Sequence, residues 1–301
     1  MDHLWARLRE RLLALDAESR ASGGRGLAIA FSGGVDSRFL THAAALLNIE
    51  VLALHFCGPH FKREAEAAAL DWLRGRTGEH STLSYSLIEA DALALDEVRH
   101  NSPERCYHCK KLAFGLLRAE ALRRGKSCLC DGSLASDNQE YRPGRRAMTE
   151  LGIVSPLADV GFTKAEVREL GAKLGLDDTA QQGQPCLLTR FDYGLEATPD
   201  LLHVLDRAES AVTEVLREFS LCGAAPFNGE LPFRLRLLTS KTVLFQPELH
   251  LQLAPESLAA QPELRDNLIH ALASHEFTAH GLGQVKIVAM PDLSGFFDRR
   301  G

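Results

Sequence analysis

Apolar positions in the first half of the chain fall into short runs separated by longer amphipathic stretches. Leu27 to Phe31 and Glu50 to Phe56 are compact apolar runs, and Thr82 to Ile88 alternates; all three read as strands. Continuous apolar character marks strands covered on both faces. Met1 to Arg20 is amphipathic. Arg38 to Leu47 places Phe39, Leu40 and Leu46 inward, Lys62 to Arg74 is rich in Ala and Glu, and Leu112 to Arg124 is a further helix. Ser127 to Cys130 forms a short strand that delivers Asp131-Gly132 at its carboxyl end. Strands alternating with helices predict an α/β fold, a doubly wound parallel sheet with helices on both faces. Ligands in such sheets bind outside the carboxyl ends of the strands. The loop from Ser32, Cys57-Gly58 and Asp131-Gly132 all sit at such ends.

Thr163-Lys164-Ala165-Glu166 is a capping box opening a helix that runs to about Leu174 and is ended by Gly175. A polar stretch, Asp177 to Gln184, leads to Pro185-Cys186. Thr198-Pro199-Asp200 starts a long helix, with Thr as N-cap and Pro at the first position. After Gly223 the pattern changes. Phe233 to Leu238, Val243 to Leu253 and Gln284 to Met290 read as strands, and Glu256 to Ser274 as a helix. The chain therefore divides into a larger domain over residues 1–197 and a smaller C-terminal α+β domain over residues 198–301.

The length of 301 residues and 45% hydrophobic content suit that division. Charged residues at 25% exclude a disordered or fibrous chain. The net charge of -6 argues against binding nucleic acid through bulk charge, though it leaves room for a local basic pocket. No apolar run is long enough to span a bilayer, and the first twenty residues lack the apolar core of a signal peptide. A cytoplasmic protein is expected, in which the seven cysteines serve as thiols or metal ligands rather than disulfides.

Ser32-Gly33-Gly34-Val35-Asp36-Ser37 lies between a strand and a helix. Two glycines let the backbone turn and approach a ligand, and the N–H groups at the helix start then face an anion. Ser32 and Ser37 add hydroxyl donors. The loop has no Lys, so it is not of the Walker type. Asp36 repels phosphate unless Mg²⁺ lies between them, so a phosphate ligand with Mg²⁺ explains it.

Cys106-Tyr107-His108-Cys109 is a single CxxC pair, followed by Lys110 and Lys111, with Cys186 far along the chain. Half of a zinc site or a redox pair has the same appearance. Three thiolates with one open position suit an iron–sulfur cluster carrying an extra sulfide; alternatively Cys186 is itself the sulfur donor. Lys110, Lys111 and Arg190 are cationic neighbours that favour thiolates. Cys128 and Cys130 lie on a buried strand, with one of them packing in the core; Cys57 follows a strand and could line the site, though it reads better as buried, and Cys222 has no partner motif.

Taken together, these segments resemble a known family. The string from Phe31 to Ser37 looks like the signature of the PP-loop ATP pyrophosphatases. Ser102 to Lys111, Asp131-Gly132 with Asp137, Tyr141 to Gly144, Ser155 to Leu157, Phe162 to Lys164, and Cys186 with Arg190-Phe191 and Tyr193-Gly194 follow in the order of the LarE-type sulfur transferases. The resemblance covers roughly residues 25 to 200. It implies an adenine nucleotide alpha hydrolase-like fold. It also implies an ATP- and Mg²⁺-dependent enzyme that adenylates the carboxylates of pyridinium-3,5-biscarboxylic acid mononucleotide and converts them to thiocarboxylates, in the synthesis of the nickel-pincer nucleotide. Three cysteines place the chain nearer the members that hold an iron–sulfur cluster, with Cys106, Cys109 and Cys186 as its ligands.

By the same resemblance Ser32, Gly33, Gly34, Asp36 and Ser37 hold the ATP phosphates and Mg²⁺, and Asp131 and Gly132 border the nucleotide. Lys110 stabilises charge developing on phosphate. Arg142, Arg145, Arg146 and Arg190 are candidates for the substrate's phosphate or carboxylates. Arg234 and Arg236 correspond to an alternating arginine pair of the family, whereas Lys241 to Phe245 shows no match to its later Arg and Glu. The expected partner is a small mononucleotide, with no membrane and no nucleic acid, and a homo-oligomer is expected. The competing classes are a tRNA-thiolating PP-loop enzyme, which needs a basic face; an ammonia-using amide synthetase, which leaves the cysteines idle; and a nucleotide-binding sensor without catalysis.

Overall fold

The computed structural model describes residues 1–135, 143–181, 183–221, 233–239, 247–253, 262–273 and 285–289. Two compact units emerge, one formed by residues 1–98 and 104–184, the other by residues 99–103 and 185–301.

The first unit is built on a four-stranded sheet. Its elements are α1 (Asp2–Ala21), β1 (Leu27–Ala30), α2 (Val35–Leu46), β2 (Val51–Cys57), α3 (Arg63–Glu79), β3 (Leu83–Glu89), α4 (Asp96–Arg99), α5 (Arg105–Arg123), β4 (Leu129–Cys130), α6 (Pro143–Glu150), α7 (Pro156–Val160) and α8 (Lys164–Lys173). The strand order is β3-β2-β1-β4, and every pairing is parallel, with Leu27 opposite Val51, Val51 opposite Leu83 and Ala28 opposite Leu129. Alternation splits each strand between two cores. Leu27, Ile29, Val51 and Ala53 pack with Leu8 and Leu12 of α1, Phe39 of α2, Trp72 of α3 and Val167 of α8. Ala28, Leu52, Leu54 and Phe56 face Ala113, Leu117 and Ala121 of α5. Both faces of the sheet are thus covered, which is why these strands are apolar throughout.

After β3 the chain crosses back to the far side of β1, so the strand order reverses between β1 and β4. Beyond β4 a single parallel bridge joins Cys130 to Val154. The capping box forms as the sequence predicts: Thr163 Oγ1 accepts from Glu166 N–H, the Glu166 carboxylate accepts from Thr163 N–H, and Gly175 follows with φ +81°. Boundaries differ in places: α3 runs on to Glu79 rather than Arg74, and β4 starts at Leu129 rather than Ser127. α5 begins at Arg105 rather than Leu112, so Cys106 and Cys109 lie in its first turns. Pro103 bars Ser102 from helix, and the helix starts directly after it, before the apolar periodicity becomes visible.

The second unit holds α9 (Pro199–Leu221), β5 (Phe233–Thr239), β6 (Pro247–Leu253), α10 (Pro262–Ala273) and β7 (Lys286–Ala289). Its sheet is mixed: β5 pairs antiparallel with β6, and β6 parallel with β7. Thr198 Oγ1 accepts from Leu201 N–H and so caps α9. The segment ahead of α9 belongs to this unit. Phe191 bridges Leu237 of β5, and Asp192 N–H donates to Leu237 O at 2.8 Å. Buried Asn101 donates through Nδ2 to Phe191 O and Asp192 O, which ties residues 99–103 to the same unit. The division therefore falls after Gln184, ahead of the 197/198 boundary read from the α9 cap.

Its interior contains an ion pair. Arg190 and Glu209 are each 1% exposed, and the guanidinium donates Nε and Nη2 to the two carboxylate oxygens at 2.9 and 2.7 Å. Among the described residues no helix is long and apolar enough to cross a membrane.

Two stability measurements follow. Removing one partner of a buried pair leaves the other charge uncompensated, so Glu209→Ala should lower the unfolding free energy by about 3–5 kcal/mol in urea denaturation. His42, 4% exposed, donates Nε2–H to Leu174 O at 2.9 Å. Burial holds its pKa below 6.5, helped by Arg76 and His80 and opposed by the Leu174 carbonyl and Asp177. The unfolded imidazole binds a proton that the folded one does not. The contribution is complete above about pH 6.5 and is lost as pH falls below it. His42→Gln, which keeps a donor and does not titrate, should show a shallower fall of the urea midpoint between about pH 7.5 and 5.5 than the native chain.

Candidate functional site

The loop after β1 is shaped by close packing. Gly33 has φ +80°, and a Cβ there would lie 2.5 Å from Ala69 Cβ of α3, so only glycine passes. Ser37 Oγ donates to Gly34 O at 2.9 Å and lies 3.2 Å from Ser32 Oγ, while Gly34 N–H reaches Ser32 Oγ at 3.4 Å. The first intrahelical bond of α2 runs from Arg38 N–H to Gly34 O. The N–H groups of the preceding turn have no intrahelical acceptor, and with the helix dipole they make an anion-facing N-terminus.

The end of β4 comes directly against this loop. A Cβ on Gly132 would lie 2.9 Å from Ser37 N and 3.1 Å from Asp36 C. The structure thereby brings Ser32, Gly33, Gly34, Asp36, Ser37 and Gly132 together where the strand order reverses, the place where parallel sheets take ligands. Asp131, 6% exposed, is held from both sides: Ser133 Oγ donates to one carboxylate oxygen and Ser155 Oγ to the other, the latter at 2.6 Å. Its backbone N–H donates to Val154 O. Asp131 thus fixes the segment around it, with both oxygens engaged.

Lys164 completes the group. It is the first residue of α8, and its Nζ donates to Asp36 Oδ2 at 2.7 Å. The sequence marked this stretch through its capping box, but nothing local in the sequence signals an ion pair to a carboxylate 128 positions away.

Cys106 and Cys109 are three positions apart on α5, hence on one face, and both are partly exposed. Cys109 Sγ lies 3.5 Å from Nε2 of His60, a fully buried imidazole. Burial lowers the His60 pKa to about 4, so this ring is neutral at pH 7. His60 was not visible as a site residue in the sequence, because only the fold brings the β2–α3 loop to α5.

The basic residues around the CxxC pair are occupied differently from expectation. Lys110 lays its stem against Gly144, where a Cβ would meet its Cδ at 2.6 Å, and directs Nζ to Met148 Sδ at 3.7 Å. Lys111 pairs with Glu150, which also accepts from Tyr107 OH. Arg146 pairs with Glu104 at 2.8 Å, and its guanidinium sits 3.8 Å from the centre of the Tyr107 ring. Lys111 and Arg146 thus fasten α6 to α5 rather than standing ready for a ligand. Arg145 is partly exposed, and its Nη1 has no hydrogen-bond partner among the described residues. Arg142, Asp137 and Tyr141 lie outside the described residues, as does Cys222.

In the second unit, Arg190, expected as an anion ligand, is engaged by groups of the chain itself. Besides gripping Glu209, its Nη1 donates to Thr189 Oγ1 at 2.7 Å and to the carbonyls of Pro185 and Cys186 at 3.3 and 3.4 Å. It therefore shapes the loop that carries partly exposed Cys186. Glu209 had no local signal; it reads as one more polar position on a long helix. Arg236 is also committed, to Gln252 Oε1 and Thr189 O. Arg234 is half-buried, and burial lowers its pKa, with Arg190 adding repulsion.

The remaining cysteines divide. Cys130 is fully buried, as its strand predicts. Cys57 is partly exposed instead of packed, and burial together with Glu66 and Glu89 pushes its thiol up to about 11.

No family model matches the chain. Its relatives include three proteins. An uncharacterized protein of Synechocystis sp. is 34% identical over 185 residues, covering 60% of this chain and 66% of its own length. Pyridinium-3,5-bisthiocarboxylic acid mononucleotide synthase of Lactiplantibacillus plantarum is 31% identical over 185 residues, covering 60% and 64%. An uncharacterized protein of Methanocaldococcus jannaschii is 30% identical over 198 residues, covering 64% and 69%. The chain thus spans slightly less than two thirds of the first two relatives and slightly more of the third. The chain belongs to one family with the Methanocaldococcus protein, more than two thirds of which it covers, and is similar to the named synthase over a slightly smaller share of that protein.

Proposed function

We propose that this chain is a PP-loop sulfurtransferase that uses ATP and Mg²⁺ to adenylate a carboxylate of a pyridinium dicarboxylate mononucleotide and exchanges the activated oxygen for sulfur. The observation that carries this reading is Asp36, an acidic residue in the first turn of α2, inside a loop otherwise built for anions. A carboxylate at that position is unfavourable for a bare phosphate and favourable for a metal–phosphate pair. The relation to a named pyridinium bisthiocarboxylate mononucleotide synthase supplies the acceptor.

The loop N–H groups and the hydroxyls of Ser32 and Ser37 bind the phosphates. Asp36 holds Mg²⁺, and Lys164 keeps its carboxylate turned toward the loop. The substrate carboxylate attacks the α-phosphorus as the bond to pyrophosphate breaks, giving an acyl adenylate. Sulfur then adds to the acyl carbon and AMP leaves. Loop donors stabilise the charge that grows on the transferred phosphoryl group. Gly132 closes the nucleotide side of the loop. Arg145, whose Nη1 has no hydrogen-bond partner among the described residues, is a candidate for a phosphate or carboxylate, and Arg190 serves by holding the Cys186 loop.

The thiols suit an iron–sulfur cluster by type. Cys106 and Cys109 share a partly exposed helix face, which fits two ligands, and Cys186 is the third thiol that the family resemblance assigns. Such a cluster, when bound, supplies the sulfur.

The test is AMP formation from ATP, Mg²⁺ and the mononucleotide. Asp36→Ala should abolish it. Lys164→Met, which removes only the group orienting Asp36, should lower it by about 10- to 100-fold. Unchanged AMP formation in Asp36→Ala would show that the loop does not hold the reacting nucleotide.

A further inference from the structure

A second cluster of metal-ligating side chains lies at the end of β2, and none of its members belongs to the segments that carry the family resemblance. His55 and Cys57 are two positions apart on the strand, so both project from one face. Glu66 comes from the first turn of α3. A ring nitrogen of His55, Cys57 Sγ and a carboxylate oxygen of Glu66 all lie within 4.8 Å of one another. Among the described residues this is the group of three that satisfies that geometry.

Two features distinguish it from a chance meeting of polar side chains. His55 is 4% exposed and its Nδ1 donates to Phe31 O at 2.8 Å, yet its Nε2 is buried with no hydrogen-bond partner among the described residues. A buried nitrogen left with a bare lone pair is unfavourable unless a ligand takes it up. An imidazole with one nitrogen on a backbone carbonyl and the other presenting its lone pair is the arrangement found in metal-ligating histidines. The carboxylate is oriented as well, since Glu66 Oε1 accepts the N–H of Gly58 at 3.2 Å.

We propose that His55, Cys57 and Glu66 form a binding site for one divalent transition-metal ion of the zinc type. The donor set decides the class. Imidazole and thiolate suit zinc and its neighbours, whereas Mg²⁺ and Ca²⁺ require oxygen ligands. Bond lengths of about 2.0–2.3 Å from three donors are reached by small side-chain adjustments from the observed spacing. Binding replaces the Cys57 S–H bond by a metal–sulfur bond, and the proton leaves to solvent. Thiolate and carboxylate then balance the charge of the ion. Three protein ligands leave the fourth tetrahedral position to water or another small ligand. The site is tied to the phosphate loop through the His55–Phe31 hydrogen bond, because Phe31 is the residue before Ser32.

The experiment uses the full chain with Cys106, Cys109 and Cys186 all replaced by Ser, freed of metal and titrated with Co²⁺. The expected result is one equivalent bound, with a thiolate-to-cobalt charge-transfer band that Zn²⁺ displaces. Adding Cys57→Ser should remove the band, and adding Glu66→Gln should weaken binding by at least about 10-fold. Zn²⁺ should also raise the thermal midpoint of the parent and not that of the Cys57→Ser form. Absence of stoichiometric Co²⁺ binding overturns the proposal, as does a band that survives Cys57→Ser, which would place the metal on other thiols such as the Cys128–Cys130 pair. None of these readouts depends on ATP turnover, so they stand or fall apart from the sulfurtransferase reading.

Discussion

The arrangement of the first unit depends on one close approach, that of Gly132 to the backbone of Asp36 and Ser37. β4 is a two-residue strand, and the chain leaving it must pass the N-terminus of α2 with no room for a side chain. Because strand order reverses between β1 and β4, this contact draws the two strand ends together at the mouth of the sheet. Asp131 secures it with hydroxyls on both carboxylate oxygens and a backbone bond to Val154. Lys164 then arrives on Asp36 from α8. The helix N-terminus is therefore held in a fixed frame, which is the condition for preorganised stabilisation of developing charge.

This frame gives separated sequence segments a shared structural role. Ser155-Pro156-Leu157 supplies the hydroxyl on Asp131 and then the start of α7. Phe162-Thr163-Lys164 supplies a core ring, a helix cap and the ammonium on Asp36. Residues 105–111 form the start of α5, where Tyr107 and Lys111 bind α6 through Glu150. Several cations in these segments are thus committed to structure. The buried Arg190–Glu209 pair is the strongest instance, since a guanidinium removed from water requires its carboxylate partner.

Features set by local chemistry were legible from the residues alone. The apolar strands, the strand–loop–helix around Ser32, the Thr163 capping box and the Thr198 cap each depend on neighbours a few positions apart. Relations made by the fold were not legible. Lys164 with Asp36, Glu209 with Arg190 and His60 beside Cys109 join residues distant in sequence, and each side chain taken alone is unremarked. The start of α5 was hidden because its first turns are polar and cysteine-bearing. Cys57 was read as packing because it ends an apolar strand, and its true surroundings include a carboxylate from the following helix.

In the proposed reaction, carboxylate activation and sulfur gain occur on one small molecule. The most direct test is mass spectrometry of the reaction of the anaerobically prepared protein with ATP, Mg²⁺, a sulfide source and the pyridinium dicarboxylate mononucleotide. The expected result is AMP together with a product in which sulfur has replaced a carboxylate oxygen. Sulfur appearing on tRNA, with the mononucleotide unchanged, would contradict it.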